Sequence, residues 1–273
     1  MVDLSHIDPR LLDQLTLVVD DLSANTGLDP NKILVVGATC RDILHAAHGH
    51  DFEVRGTDDV DLGIAVSDWE VSERIESKYQ RVGNNGIRYK IAGMSVDLMP
   101  FGDVEDPDGI TTPARRGEDL IVFAFQDVYE RAQPLTLPGG ATVRMPETAG
   151  YAALKMRAWI DRSVDKDAKD LALCAYWYEE SEEVSDRLYS PDEGPEIQAP
   201  VGWDYPLAAA RLLRRDIAQQ LTPAHHQDLV ERWSMTDLGL FSRWFVLPPS
   251  TGRNLSVERR SAIAEQFGYS PEL

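Results

Sequence analysis

The stretch Arg55-Gly56-Thr57-Asp58-Asp59-Val60-Asp61-Leu62 runs on into Gly63-Ile64-Ala65-Val66, and it constrains the fold more than any other part of the chain. Its apolar run predicts a strand, in which successive side chains alternate between faces. Asp59 and Asp61 then point one way, while Val60 and Leu62 point into a core. Two carboxylates one strand period apart can share a hard cation, which prefers oxygen ligands. A solvated edge or turn is the plainer alternative for an isolated pair. A calcium loop is excluded, because counting from Asp59 puts Gly63 at the fifth position and Ile64 where the loop needs its glycine.

Two other stretches give the pair a context. Upstream, Ile33-Leu34-Val35-Val36-Gly37-Ala38-Thr39-Cys40-Arg41-Asp42 reads as a buried strand over 33–36, a turn of small residues, and a helix over 40–48. A helix N-terminus beside a glycine offers backbone N–H groups to a phosphate. Downstream, Met94-Ser95-Val96-Asp97-Leu98-Met99-Pro100 reads as a strand with Met94, Val96 and Leu98 on one face. Ser95 and Asp97 share the other, so Asp97 is a third carboxylate on a strand.

Strand, glycine turn and helix, then Asp59-Val60-Asp61, then a lone aspartate at Asp97 resembles the nucleotidyltransferases of the DNA polymerase β superfamily. Gly37-Ala38 stands where that family usually has Gly-Ser or Gly-Gly. The opening Gly37-Ala38-Thr39-Cys40-Arg41-Asp42 is also similar to that of tRNA nucleotidyltransferases, with a longer spacing to the aspartate pair. In layout the chain is most similar to the AbiEii-type and MenT-type nucleotidyltransferase toxins. They too carry a Thr-x-Asp-x-Asp strand, a Val-Asp-Leu strand, and a helix with Lys and Arg before a stretch rich in Lys and Asp. The resemblance covers roughly residues 30–180.

The resemblance implies an α+β fold, with a mixed-sheet catalytic lobe over 1–145 and a helical lobe over 146–273. It implies two Mg²⁺ ions about 4 Å apart, with Mn²⁺ as an alternative. Asp59 and Asp61 hold both, and Asp97 serves the acceptor side. It places Gly37, Ala38 and Thr39 as donors to the β- and γ-phosphates, Lys155 on the nucleotide phosphates, and Arg162 beside it. The implied partners are an NTP, an RNA acceptor such as a tRNA 3′ end, and a cognate antitoxin. Modification of a small molecule or protein is the alternative within the same chemistry. Non-catalytic nucleotide binding is the alternative outside it.

Net charge is −19, which argues against a broad basic surface for nucleic acid but leaves room for a local cleft. The densest acidic pieces, 178–183 and 191–196, read as solvated loops. No run approaches the ~20 apolar residues of a membrane span. The first residues lack a basic region followed by an apolar one, and the two cysteines lie far apart. A cytoplasmic protein with reduced thiols and no disulfide is the expectation. Cys40 reads as a small buried thiol.

The remaining elements follow from periodicity. Residues 9–25 predict an amphipathic helix, and 68–79 a helix capped by Ser67 or Asp68. Gly83-Asn84-Asn85-Gly86 predicts a hairpin-type turn before the strand 87–91, whose polar face carries Arg88 and Lys90. That face either looks toward Asp97 or protects an edge. Residues 102–118 predict a mobile loop whose Arg115 and Arg116 are solvated or reach a phosphate. His45, His48 and His50 predict a loop after a helix rather than a zinc site. Strands are expected over 120–125 and 135–144, with a turn at Pro138-Gly139-Gly140. Helices are expected around 151–160, 167–178, 205–221, 224–233 and 257–267, with a linker over 192–203. Lys155, Trp159 and Arg162 share a helical stripe. Asp167 is expected as an N-cap, Asp170 as a partner of Arg162 or Lys166, and Arg157 on the surface.

Overall fold

The computed structural model describes residues 7, 9–57, 59–114 and 116–268, so Asp58, Arg115 and both termini lie outside the description. It combines α and β structure in two compact units that meet in the sequence between Glu147 and Thr148. Among the described residues, no helix is long and apolar enough to cross a membrane.

The first unit is built on a seven-stranded mixed sheet of order β3-β4-β5-β2-β1-β9-β8. Its strands are β1 (Ile33–Val35), β2 (Asp59–Val66), β3 (Gln80–Arg81), β4 (Arg88–Ile91), β5 (Met94–Gly102), β8 (Gln133–Thr136) and β9 (Thr142–Met145). At its centre β2 runs parallel to β5 over eight residues, from Asp59 beside Ser95 to Val66 beside Gly102. Val60, Leu62, Val96 and Leu98 are at most 5% exposed, so one face of this pair is core. β4 and β5 form a hairpin through Ala92-Gly93, both at positive φ, with Ile91 opposite Met94. That register sets Arg88 directly opposite Asp97.

Helix α1 (Pro9–Thr26) buries Leu15, Val18, Val19 and Leu22, as its periodicity predicts. Helix α3 (Glu70–Lys78) is tied to it by Tyr79, whose hydroxyl donates to Asp21, and by Arg74, whose Nε donates to the Thr26 carbonyl. α3 starts later than expected. Asp68 accepts from the Glu70 N–H at 2.8 Å from outside the helix, and Trp69 is the N-cap.

The segment 102–118 is more ordered than a polar loop. Glu105 accepts from the N–H groups of Gly102 and Gly109, both at 2.7 Å. β6 (Ile110–Thr111) pairs with β7 (Leu120–Ile121). Arg116 is not simply solvated, since its Nη1 donates to the Asn85 carbonyl at 2.5 Å and docks the segment on the 83–86 turn. The strand expected over 120–125 stops at Ile121, because Ala124 turns at φ 60° into α4 (Phe125–Arg131). Gly63 leaves room for Phe101 and Phe125, which would lie 3.0 and 3.1 Å from a Cβ there.

The second unit is helical: α5 (Thr148–Arg162), α6 (Asp165–Glu180), α7 (Glu182–Tyr189), α8 (Gly194–Gln198), α9 (Tyr205–Gln220), α10 (Pro223–Trp233), α11 (Leu238–Trp244) and α12 (Val257–Glu265). Helices α5, α6 and α9 pack on one another. Trp159 and Trp233 both meet Phe241 edge-on at 5.1 Å. Side-chain N-caps start most of the later helices: Ser181, Asp204, Thr222, Asp237 and Ser256 each accept from a first-turn N–H. Two expectations fail here. The linker over 192–203 contains α8 and a 3₁₀ turn, and Arg187 anchors it to α9 by bridging Glu193 and Asp216 at 2.8 and 2.7 Å. The acidic run near 180 is helical, with Glu182 and Glu183 in the first turn of α7, where the helix dipole favours negative charge.

Candidate metal centre

Asp59 and Asp61 project from the same face of β2, and Asp97 from the adjacent position of β5 opposite Asp61. Period-two alternation and the parallel register together place the three carboxylates side by side. One oxygen from each lies within 4.8 Å of the others, and these are the three acidic residues that group with metal-ligand geometry among the described residues. Asp97 is buried, and Asp59 and Asp61 are half-buried. Carboxylates this close repel by on the order of 3 kcal/mol per pair near a protein surface. Such a set of hard oxygen donors fits a divalent cation such as Mg²⁺ or Mn²⁺.

The glycine turn stands against the same group. Helix α2 (Gly37–Ala47) begins three residues earlier than expected, at Gly37 itself, with Val36 as an N-cap that supplies no side-chain bond. Helix geometry leaves the N–H groups of Gly37, Ala38 and Thr39 without intrahelical partners. Gly37 has φ 61°, and a Cβ built on it would lie 1.9 Å from Asp61 Oδ2. Glycine is therefore required twice, by the backbone angle and by the carboxylate. The Val36 N–H also donates to the Asp61 carbonyl at 3.2 Å, which fixes α2 to β2. Arg41, fully buried on α2, pairs with Asp42 and donates from Nη2 to the Arg55 carbonyl, tying down the approach to β2. Cys40 is a buried thiol, as expected.

Arg88 belongs to the group, and the sequence left its direction open. Its Nε donates to Asp97 Oδ1 at 2.7 Å and its Nη2 to Asp97 Oδ2 at 2.8 Å, while Nη2 also reaches Asp59 Oδ2 at 2.5 Å. The bidentate bond to Asp97, with the nearby charges of Asp59 and Asp61, holds the guanidinium far above its ordinary pKa against the cost of burial. Asn85 donates from Nδ2 to Asp97 at 3.3 Å, and the Thr57 hydroxyl donates to Asp59 Oδ1 at 2.6 Å. Alternation alone allows Arg88 to face Asp97. The signal that settles it is Ala92-Gly93, a two-residue turn that fixes which residue of β4 opposes Asp97.

Lys155 and Arg162 lie in the second unit, in a different ionic group. Lys155 is 7% exposed, with Nζ 2.7 Å from Asp170 and 3.5 Å from Asp167. Arg162 makes a bidentate bond to Asp167, both contacts at 2.7 Å. The Tyr151 hydroxyl donates to Asp170 at 3.1 Å. Asp167 is thus no N-cap, since α6 starts at Asp165 after Val164. Asp170 pairs with Lys155, where a partnership with Arg162 or Lys166 is the sequence expectation. Arg157 is not a bare surface residue either, because it bridges Asp161 and Asp228 at 2.9 and 3.0 Å.

His45 lies in the last turn of α2, with Nε2 3.0 Å from the Phe52 carbonyl. Burial pushes its pKa down to about 4, so at neutral pH it is an uncharged donor. No protein-family model matches this chain, and no curated protein matches it.

Proposed function

We propose that the chain is a metal-dependent nucleotidyltransferase that joins a nucleotidyl group from an NTP to an acceptor hydroxyl. The observation that carries this reading is the convergence of Asp59, Asp61 and Asp97 within 4.8 Å, with the start of α2 packed against Asp61. Asp59, Asp61 and Asp97 hold the cation. Bound there, a divalent ion supplies charge neutralisation on the triphosphate and on the attacking oxygen. The N–H groups of Gly37, Ala38 and Thr39 bind the β- and γ-phosphates at the positive end of α2. The acceptor oxygen bonds to the α-phosphorus, the bond to the β-phosphate oxygen breaks, and pyrophosphate leaves. The acceptor proton passes to a carboxylate oxygen of Asp97.

The acceptor in this reading is RNA, such as a tRNA 3′ end, and the setting is that of a toxin held by an antitoxin. Both come from the resemblance of 30–180 to the AbiEii-type and MenT-type enzymes. One observation favours a second reading: Arg88 already occupies Asp59 and Asp97, as a guanidinium would in a non-catalytic relative. Incubation with each α-labelled NTP, Mg²⁺ and total RNA separates the two. Label in RNA supports the proposal, and label in protein or a small product changes the acceptor. Tight nucleotide binding with no transfer of any label supports the non-catalytic reading.

A further inference from the structure

We infer that Arg88 is a resident counter-cation that competes with the divalent ion for Asp59 and Asp97 and shifts to the nucleotide phosphates when the site loads. The inference rests on the proposed function. Both oxygens of Asp97 accept from Arg88, and the two oxygens of Asp59 accept from Arg88 and Thr57. A guanidinium and a divalent cation cannot share Asp97 without strong repulsion at this distance. A carboxylate with both oxygens committed to a fork of N–H donors also offers a second cation poor geometry.

The guanidinium is placed to leave. Its side chain is 32% exposed, against 12% for Asp97, so the head group already reaches solvent. Its stem is fixed on β4 opposite Asp97, so a departing head group stays beside the centre. A triphosphate is the anion that would receive it there, because planar donors match phosphate oxygens. Cation and nucleotide then bind cooperatively, since each favours the state with Arg88 withdrawn. Without nucleotide, the resident guanidinium offsets one of the three carboxylate charges and holds the affinity for free ions down.

The test is Mn²⁺ binding to the full chain, followed by electron paramagnetic resonance, with and without an α,β-methylene NTP analogue. Arg88→Gln should bind Mn²⁺ alone at least 10-fold tighter than the wild type. The analogue should then tighten Mn²⁺ binding less in the variant than in the wild type. Lys90→Gln, on the same strand face but exposed, should stay within twofold of the wild type. Arg88→Lys, which keeps the charge but loses the fork, should fall between, and it carries the test if Arg88→Gln does not fold. Equal or weaker Mn²⁺ binding in the Arg88 variants overturns the inference. If the wild type transfers nucleotide yet the variants bind Mn²⁺ no tighter, the counter-cation fails and the transferase stands. If the variants bind Mn²⁺ tighter but no NTP gives transfer, the transferase fails and the counter-cation stands.

Discussion

Two groups of four charged side chains divide the ionic chemistry between the units. In the first unit, Asp59, Asp61 and Asp97 gather beside the Arg88 guanidinium, which bonds Asp59 and Asp97. In the second, Asp167 and Asp170 face Lys155 and Arg162. Among the four side chains of the first group three carboxylates outnumber one guanidinium, the carboxylates sit on adjacent strands, and Asp59 and Asp61 are half-buried. Within the second the charges balance, and Asp167 and Asp170 are at most 2% exposed. An unbalanced, half-exposed group has capacity for a cation from solution. In the second group the buried Asp167, Asp170 and Lys155 are directly paired, and each is costly to remove singly because its partner is left as a buried charge without its counter-ion. The same residue types thus form a candidate cation site in one place and a set of direct ion pairs in the other.

The sharpest way to break this contrast is through Asp97. Asp97→Ala should reduce transfer roughly 1,000-fold, equivalent to about 4 kcal/mol of transition-state stabilisation, while melting changes little. Initial rates with a labelled NTP and a differential scan on the same sample check it. Loss of fold in step with activity would place Asp97 with the second group.

Lys155→Ala should do the opposite. It removes the partner of Asp170, so stability in urea should fall by about 3 kcal/mol. Activity of the protein that remains folded should change less than tenfold. A folded Lys155→Ala protein whose requirement for NTP rises steeply would move Lys155 into the nucleotide site.

Gly37→Ala tests the contact between α2 and Asp61. A side chain at φ 61° costs about 1–2 kcal/mol, and its Cβ meets Asp61 Oδ2. Stability should fall by at least that amount and Mn²⁺ affinity should fall as well, because the carboxylate must move. Unchanged Mn²⁺ binding would separate α2 from the centre.

The smallest effect expected concerns the far end of α2. His45 has a folded-state pKa depressed to about 4 by burial, below its unfolded value. Its contribution to stability is therefore full above pH 6.5 and is lost as pH falls toward 4. The difference in urea midpoint between the wild type and His45→Gln should shrink on acidification over that window. A constant difference from pH 7 to pH 4 would contradict the assignment of His45 as a neutral donor to Phe52.

Much of the first unit is legible in its sequence. Alternation in 59–66 and 94–100 puts three aspartates on strand faces, and Gly37 marks the turn beside them. What alternation does not carry is register between strands far apart in sequence. Asp61 beside Asp97 depends on a crossover through α3, β3 and β4, which no local pattern encodes. Arg88 was ambiguous for the same reason, since Ala92-Gly93 lacks the Asn or Asp that usually announces a two-residue hairpin. In the second unit, helices over 205–221 and 224–233 show as clear apolar stripes. Helices α7, α8 and α11 are at most eight residues long, too short for periodicity to declare them. Lys155 was read from its apolar neighbours, but its partners Asp167 and Asp170 come from the next helix, and the pairing exists only once α5 and α6 pack.

If the aspartate group, rather than another acidic feature of this chain, holds a catalytic cation, each of its three carboxylates is needed for transfer. Asp61→Asn changes the charge of one ligand and almost nothing of its shape, so Mg²⁺-dependent transfer of labelled nucleotide by this variant is the most direct measurement. Asp61→Asn should give a folded protein with wild-type melting whose transfer is lost at every Mg²⁺ concentration. A folded Asp61→Asn protein that transfers nucleotide at the wild-type rate and with the wild-type Mg²⁺ requirement would contradict it.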